Sequence, residues 1–389
     1  MTEAAANSTP SNRIGFLDGL RGLAALYVML GHARWLLWEG YSTGYVLDPS
    51  RYSVIEKILA YLSLTLNYGH QAVIFFFVLS GFVIHLRYAR DQQRDPNSQF
   101  ALLPFLARRL LRIYPLFLFA MILTAAVDYA GIAARLPIYF EHTPYALINQ
   151  NVIVNYSLPA VIGNALLIPN AETWGTNGPL WSLRYEWFFY LSYPLFWLIN
   201  RRSIRLATGI VAALFALSFV IVGLPLELIR VVAAAFPAWW MGALLAEIYV
   251  RRLSLRFVQI APLAALFAVL PFTIEPFMVI NPVVQDFLWG LGFTGLLLRC
   301  TSHGRDRGGS LRLLERLRWF RDISYAPYAD PFPDHRDRWL ADVTVNDGLC
   351  AATRIWMGGS RSDHLRNSSL VSTLAYREAS VGASAASEI

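Results

Sequence analysis

Lysine is almost missing from this 389-residue chain: Lys57 is the only one, and arginine supplies nearly all the positive charge behind a formal net charge of +7. Charge of either sign is scarce, at 15% of residues, against about 25% in soluble domains. Hydrophobic residues make up 56%, and the mean hydropathy is +0.42. Two cysteines, Cys300 and Cys350, make no disulfide framework, and no Cys/His spacing of a metal site occurs. No repeat of fixed period is present. A cleavable leader is not expected either, because the first eleven residues are polar and the first apolar run is too long for a signal core. The arginines fall in short clusters between apolar segments, which argues against nucleic-acid binding and for a membrane setting.

What is present begins with Phe16 to Trp38, FLDGLRGLAALYVMLGHARWLLW. About 20 apolar residues span a bilayer as a helix, yet this run carries Asp18, Arg21 and His32. Such groups cost on the order of 3 kcal/mol each near the bilayer centre. Arg21 and His32 are eleven residues apart, three helical turns plus about 20°, so they project from one face about 16 Å apart. Asp18 is placed to pair with Arg21 at i,i+3. The segment is expected to turn one polar stripe toward a protein interior.

Further spans are expected at about 68–86, 113–132, 180–199, 206–223, 227–250, 257–274 and 283–298, with a short interfacial helix over Val54–Leu64. Arginine clusters follow spans two, four, six and eight, and Arg13 precedes the first. The positive-inside rule then puts the N-terminus in the cytoplasm. The fold class is an all-α integral membrane bundle.

Several stretches, in this order, resemble the membrane-bound acyltransferase-3 family. FLDGLRGLAALYVMLGH carries its Arg, ten residues, then His. IFFFVLSGFVI (74–84) is similar to its FF-x-x-SGF segment, and RRLLRIYP (108–115) to its R-x-x-R-I-x-P segment. LWSLRYEWFFYLSYP (180–194) is similar to its W-S-L-x-x-E-x-x-F-Y segment, and RDISYA (321–326) to the I-S-Y-S that opens its last spans. The resemblance covers roughly residues 14–326. It implies about ten spans, of which eight complete ones are counted here. It also implies transfer of an acyl group, often acetyl, from cytoplasmic acyl-CoA to a hydroxyl of a sugar or other acceptor. A bacterial inner membrane is implied as well. No metal is expected.

On that resemblance His32 is the candidate general base, taking the acceptor's proton as its oxygen attacks the thioester. Arg21 steers or polarises the thioester, or else pairs structurally with Asp18. Arg109 and Arg112, i,i+3 on the first cytoplasmic turn of span three, clamp the CoA phosphates or anchor the span. Ser80 and Gly81 permit close helix packing or touch substrate. Glu186 is expected about 10 Å below the outer surface and His32 about 6 Å, so that the carboxylate orients the imidazole. Alternatively Glu186 pairs with Arg184 or binds acceptor hydroxyls, or it and Ser182 only satisfy backbone or Trp181 N–H groups. Trp174, Trp181 and Trp187 form an interfacial belt or stack on a sugar. A transporter or flippase of lipid-linked sugars is the rival; it would need no acyl-CoA and would usually show repeated halves.

From Pro327 the chain turns polar and turn-rich, where the family continues into a span carrying L-x-x-H-x-P. Dropping the first base from codons for PYADPFPDHRDRW permits Leu-Met-Leu-Thr-His-Phe-Pro and then an apolar run. A frameshift near Ala326–Pro327 is therefore expected. It divides the chain into a tail (1–13), a truncated membrane domain (14–326) and an out-of-frame segment (327–389) that should not pack.

Overall fold

A computed structural model describes residues 15–37, 41–140, 143, 148–149, 152–220, 226–250 and 281–303. The expected seventh span, residues 1–14 and everything from 304 lie outside them, as does the side chain of Asp18. Among the described residues the protein is helical, with no strand. The helices are α1 (Gly15–Leu37), α2 (Val54–Leu64), α3 (Gly69–Arg94), α4 (Leu102–Ala133), α5 (Leu158–Ala165), α6 (Trp181–Arg202), α7 (Ile204–Leu217), α8 (Glu227–Tyr249) and α9 (Pro282–His303).

Three stretches, Val54–Arg94 (α2 with α3), Leu102–Ala133 and Glu227–Tyr249, are long and apolar enough to cross a membrane. The expected count of eight complete spans is not reproduced. Buried polar residues such as Arg184 and Glu186 lower the hydropathy of α6, and α7 is apolar but shorter. The expected boundaries of α1, α6 and α8 hold within about three residues; α7 stops at Leu217 against an expected 223, α9 runs to His303 against 298, and the largest differences are at α3 and α4. There the helices run on past the apolar segment, to Arg94 and back to Leu102. α2 matches the expected interfacial helix. Ser53 caps it, accepting from the Glu56 N–H while Glu56 accepts from the Ser53 N–H.

Ring pairs and hydrogen bonds fix the directions of the helices. His70 meets Trp181 and Asp286, Ser80 meets Glu186 and Trp239, and His85 meets Tyr193 and Glu247. α3, α6, α8 and α9 therefore run parallel. α4 runs the other way: its early residue Phe105 packs on Tyr88 and Tyr193, and its late residue Thr124 accepts from Asn177. α7 does the same, with Thr208 beside Trp240 and Phe215 on Phe287. α1 reaches the start of α3 with its C-terminal half. Tyr27 donates to the Thr65 carbonyl and accepts from the Tyr68 N–H. One end of the bundle thus gathers arginines, and the opposite rim gathers Tyr68, His70, Trp181 and Trp289.

The closest approach is between α3 and α8. A Cβ on Gly81 would collide with the Trp239 carbonyl, and one on Gly242 with the Val78 carbonyl. Small residues let helix backbones meet where lipid supplies no hydrophobic drive between them. α4 is the more peripheral helix, with Leu103, Leu111, Ile122 and Tyr129 exposed. Gly81→Ala and Gly242→Ala should each lower stability by about 1–3 kcal/mol, the usual cost of overpacking. Thermal unfolding in detergent measures this, and an unchanged melting temperature in both variants would contradict the packing described.

A buried carboxyl network as the candidate active site

α6 places Glu186 inward, 7% exposed. Its Oε1 accepts from the Ser80 hydroxyl at 3.0 Å and from the Tyr190 hydroxyl one turn along the same helix. The Trp239 indole N–H donates to Ser80 Oγ at 3.2 Å. α4 closes the cluster with Arg109, whose guanidinium lies 5.4 Å from the Tyr190 ring centroid and 5.5 Å from that of Phe105. Four helices thus bring three sequence candidates together: Ser80, Glu186 and Arg109. Gly81, beside Ser80, makes the backbone contact that lets Trp239 reach it. Tyr190 and Trp239 were not singled out by the sequence.

The remaining candidates sit as follows. Arg21 is buried at 3% exposure and His32 is half-buried. Gly31 lies against the Leu66 carbonyl. Arg21, ten residues from it, is therefore about 15 Å nearer the arginine end, level with Ser80 by helical rise. His32 stays at the rim. Glu186 is accordingly level with Arg21, and its expected shared depth with His32 is corrected: its carboxyl points along α6 toward Tyr190. Arg112 is half-buried. Arg109 and Arg112 stand about 10 and 15 Å into α4 rather than on its first turn, because the helix begins eleven residues earlier than expected. Arg184 is buried and donates to the Ala171 carbonyl at 2.8 Å. Ser182 donates to the Pro179 carbonyl at 3.2 Å, the backbone role anticipated as one alternative. Trp174 donates to the Met121 carbonyl, Trp181 stacks on His70, and Trp187 packs at the core's edge.

Two further polar clusters went unread. His85 bonds Tyr193 Oη at 2.9 Å and Glu247 Oε1 at 2.8 Å, and Asn200 donates to the same oxygen. An ionisable residue inside each of two spans was the available signal. At the rim, Asp128 is fully buried and accepts from Tyr139, from Tyr156 at 2.6 Å, and from both the N–H and hydroxyl of Thr176. Burial first, and then the Asp128 carboxylate, raise both tyrosines above their ordinary pKa. Gly175, at φ +52°, leaves room for this knot: an added Cβ would come within 2.6 Å of Asp128 Oδ2. Among the described residues no group of three His, Cys, Asp or Glu side chains is placed to hold a metal.

A model of the acyltransferase-3 type, described as an acyltransferase domain, matches residues 14–329. The chain belongs to that family. Among curated relatives, the acyltransferase MdmB of Streptomyces mycarofaciens is 28% identical over 216 residues, covering 54% of this chain and 46% of its own. Protein 2 in the picA locus of Rhizobium radiobacter is 26% identical over 181 residues, 46% of this chain and 78% of its own. The chain thus spans about half the length of the first of these relatives. No solved structure matches. Family membership makes acyl transfer the general class of chemistry, and with the apolar helices it marks a membrane protein.

Asp128→Ala should leave four donors without their acceptor, at about 1–3 kcal/mol for each buried group. The loop of residues 134–178 should then be cut faster in limited proteolysis, and unchanged cleavage would contradict the role given to the knot.

Proposed function

We propose that this chain is a membrane O-acyltransferase that moves an acyl group, acetyl first among candidates, from acyl-CoA to a hydroxyl of a carbohydrate or related acceptor. The observation that carries the reading is the Ser80–Glu186–Tyr190 network, buried inside the acyltransferase domain with Arg109 at its border. His32 takes the proton of the acceptor hydroxyl. The oxygen attacks the thioester carbonyl, the C–S bond breaks, and CoA leaves as the thiolate that then takes up a proton. Arg21, level with the network and about 15 Å along α1 from the rim where His32 stands, steers the acyl-CoA toward the base. Arg109 and Arg112 receive the CoA phosphates from the arginine-rich end, which on the positive-inside rule is cytoplasmic, as is the N-terminus. The membrane is a bacterial inner membrane, and the donor is the only cofactor.

We propose further that the reading frame changes near Ala326–Pro327. In support, the family match stops at residue 329, and the text beyond carries no apolar run of spanning length. Sequencing the coding DNA there should show one base gained or lost relative to the family frame.

Membranes carrying the restored frame should transfer label from acetyl-CoA to a membrane-associated acceptor, and the chain as written should do so at least 10-fold more slowly. His32→Ala and Arg21→Ala should each lower transfer by about 100-fold or more, the scale of general acid–base and electrostatic groups, while the protein still inserts. Full activity in either variant removes that residue from the mechanism. No acyl-CoA-dependent transfer in either frame refutes the function and favours a flippase.

A further inference from the structure

Among the described residues two histidine–carboxylate pairs have equal length, and they differ in access. His85–Glu247, at 2.8 Å, is sealed, with side-chain exposures of 1% and 1%. His70–Asp286, also at 2.8 Å, is open at the rim, with exposures of 47% and 26%. A sealed pair ties helices. An open one also presents its donors and acceptors to solutes. The open pair joins the first turns of α3 and α9, 216 positions apart in the chain. α6 adds the Trp181 indole, stacked on the imidazole at 5.3 Å between centroids and 21° between planes.

We propose that His70, Asp286 and Trp181 form a binding subsite for the acceptor of the transfer reaction, a neutral ring bearing several hydroxyls, entering from the rim. The proposal rests on the acyl-transfer reading above and specifies where and how its acceptor is held. An imidazole joined to a carboxylate offers hydrogen bonds to vicinal hydroxyls, and charge assistance makes such bonds strong. An indole beside them gives a flat apolar surface for the C–H face of a ring. The charge balance favours a neutral ligand. Asp286, bonded to the imidazole, would repel an anion at this spot; of the rim cations, Arg230 on the first turn of α8 is engaged by Glu227, and Arg34 lies toward Tyr27 on α1. The rim is also where α1 brings His32: Tyr27, five residues before it, is bonded at Thr65 and Tyr68, one turn from His70. An acceptor held at His70 therefore lies at the same end of the bundle as the candidate base.

Two measurements test this. Intact cells expressing the chain are treated with diethyl pyrocarbonate, and the modified histidines are read by mass spectrometry. His70 should be carbethoxylated and His85 should not. A His70 left unmodified would overturn the subsite, because it would not face the outside. This arm does not depend on acyl transfer. In the second arm, His70→Ala, His70→Gln and Asp286→Asn are assayed with labelled acetyl-CoA in native membranes. Transfer to the membrane acceptor should fall at least 10-fold while acetyl-CoA affinity stays within 2-fold. Undiminished transfer in His70→Gln, the variant that best preserves the tie between α3 and α9, would overturn the proposal, as would a parallel loss of acetyl-CoA affinity in all three. The parent for this arm carries the restored frame; if it transfers nothing in either frame, the acyl-transfer reading fails and the acceptor subsite fails with it, whereas loss of transfer confined to the three variants supports the subsite.

Discussion

A carboxyl group inside an apolar bundle must have its oxygens bonded, because an unsatisfied buried polar group costs several kcal/mol where no water can replace the lost partner. Among the described residues three buried carboxyl side chains answer that demand at three levels, Asp128 through both oxygens and Glu186 and Glu247 through Oε1. Asp128 takes donors from the loops at the rim. Glu186 takes Ser80 and Tyr190 in the middle. Glu247 takes Asn200 and joins His85 toward the arginine end. Each takes at least one partner from another element, so each fixes a helix or loop that hydrophobic contact alone would leave free to slide. The bundle is organised by where its carboxyl groups are satisfied.

The middle level depends on backbone proximity. Trp239 reaches Ser80 only because α3 and α8 touch at Gly81 and Gly242. The same contact sets the register that brings His85 to Glu247 four to five residues further along both helices. The aromatic residues of α6 then fill the space between: Phe189 and Tyr193 pack on Trp239, and Tyr193 also meets His85. Packing and polar satisfaction thus act on the same interface. Arg109 borders the Glu186 network, and Arg21 lies level with it by helical rise.

Much of this was legible in the residues. Apolar runs located the helices, an amphipathic stretch located the interfacial helix over Val54–Leu64, and motif order located Ser80, Arg109 and Glu186. What was not legible came from pairings across the fold. His85 and Glu247 are 162 positions apart, and His70 and Asp286 are 216 apart. Each residue alone looks like an ordinary polar interruption in an apolar run. The ends of α3 and α4 were missed for another reason: the last turns of α3 (RYARDQQR) and the first turns of α4 (LLPFLARRLLR) are helix-forming but carry arginines, which the span reading placed outside the bilayer. That same error put Arg109 and Arg112 a turn or two too close to the surface.

The proposed function rests on the Glu186 network, and we propose with it that the Glu186 carboxyl serves the transfer chemistry as well as the fold. Its most direct test is the steady-state rate of acetyl transfer in Glu186→Gln, in a form whose melting temperature matches the parent. Glutamine keeps the shape and can still accept from Ser80 and Tyr190, but it cannot carry charge or exchange a proton. The account predicts a loss of at least 100-fold, on the scale of a removed acid–base or electrostatic group. A variant that transfers at the parental rate would show that the network only holds helices together, and would contradict the account.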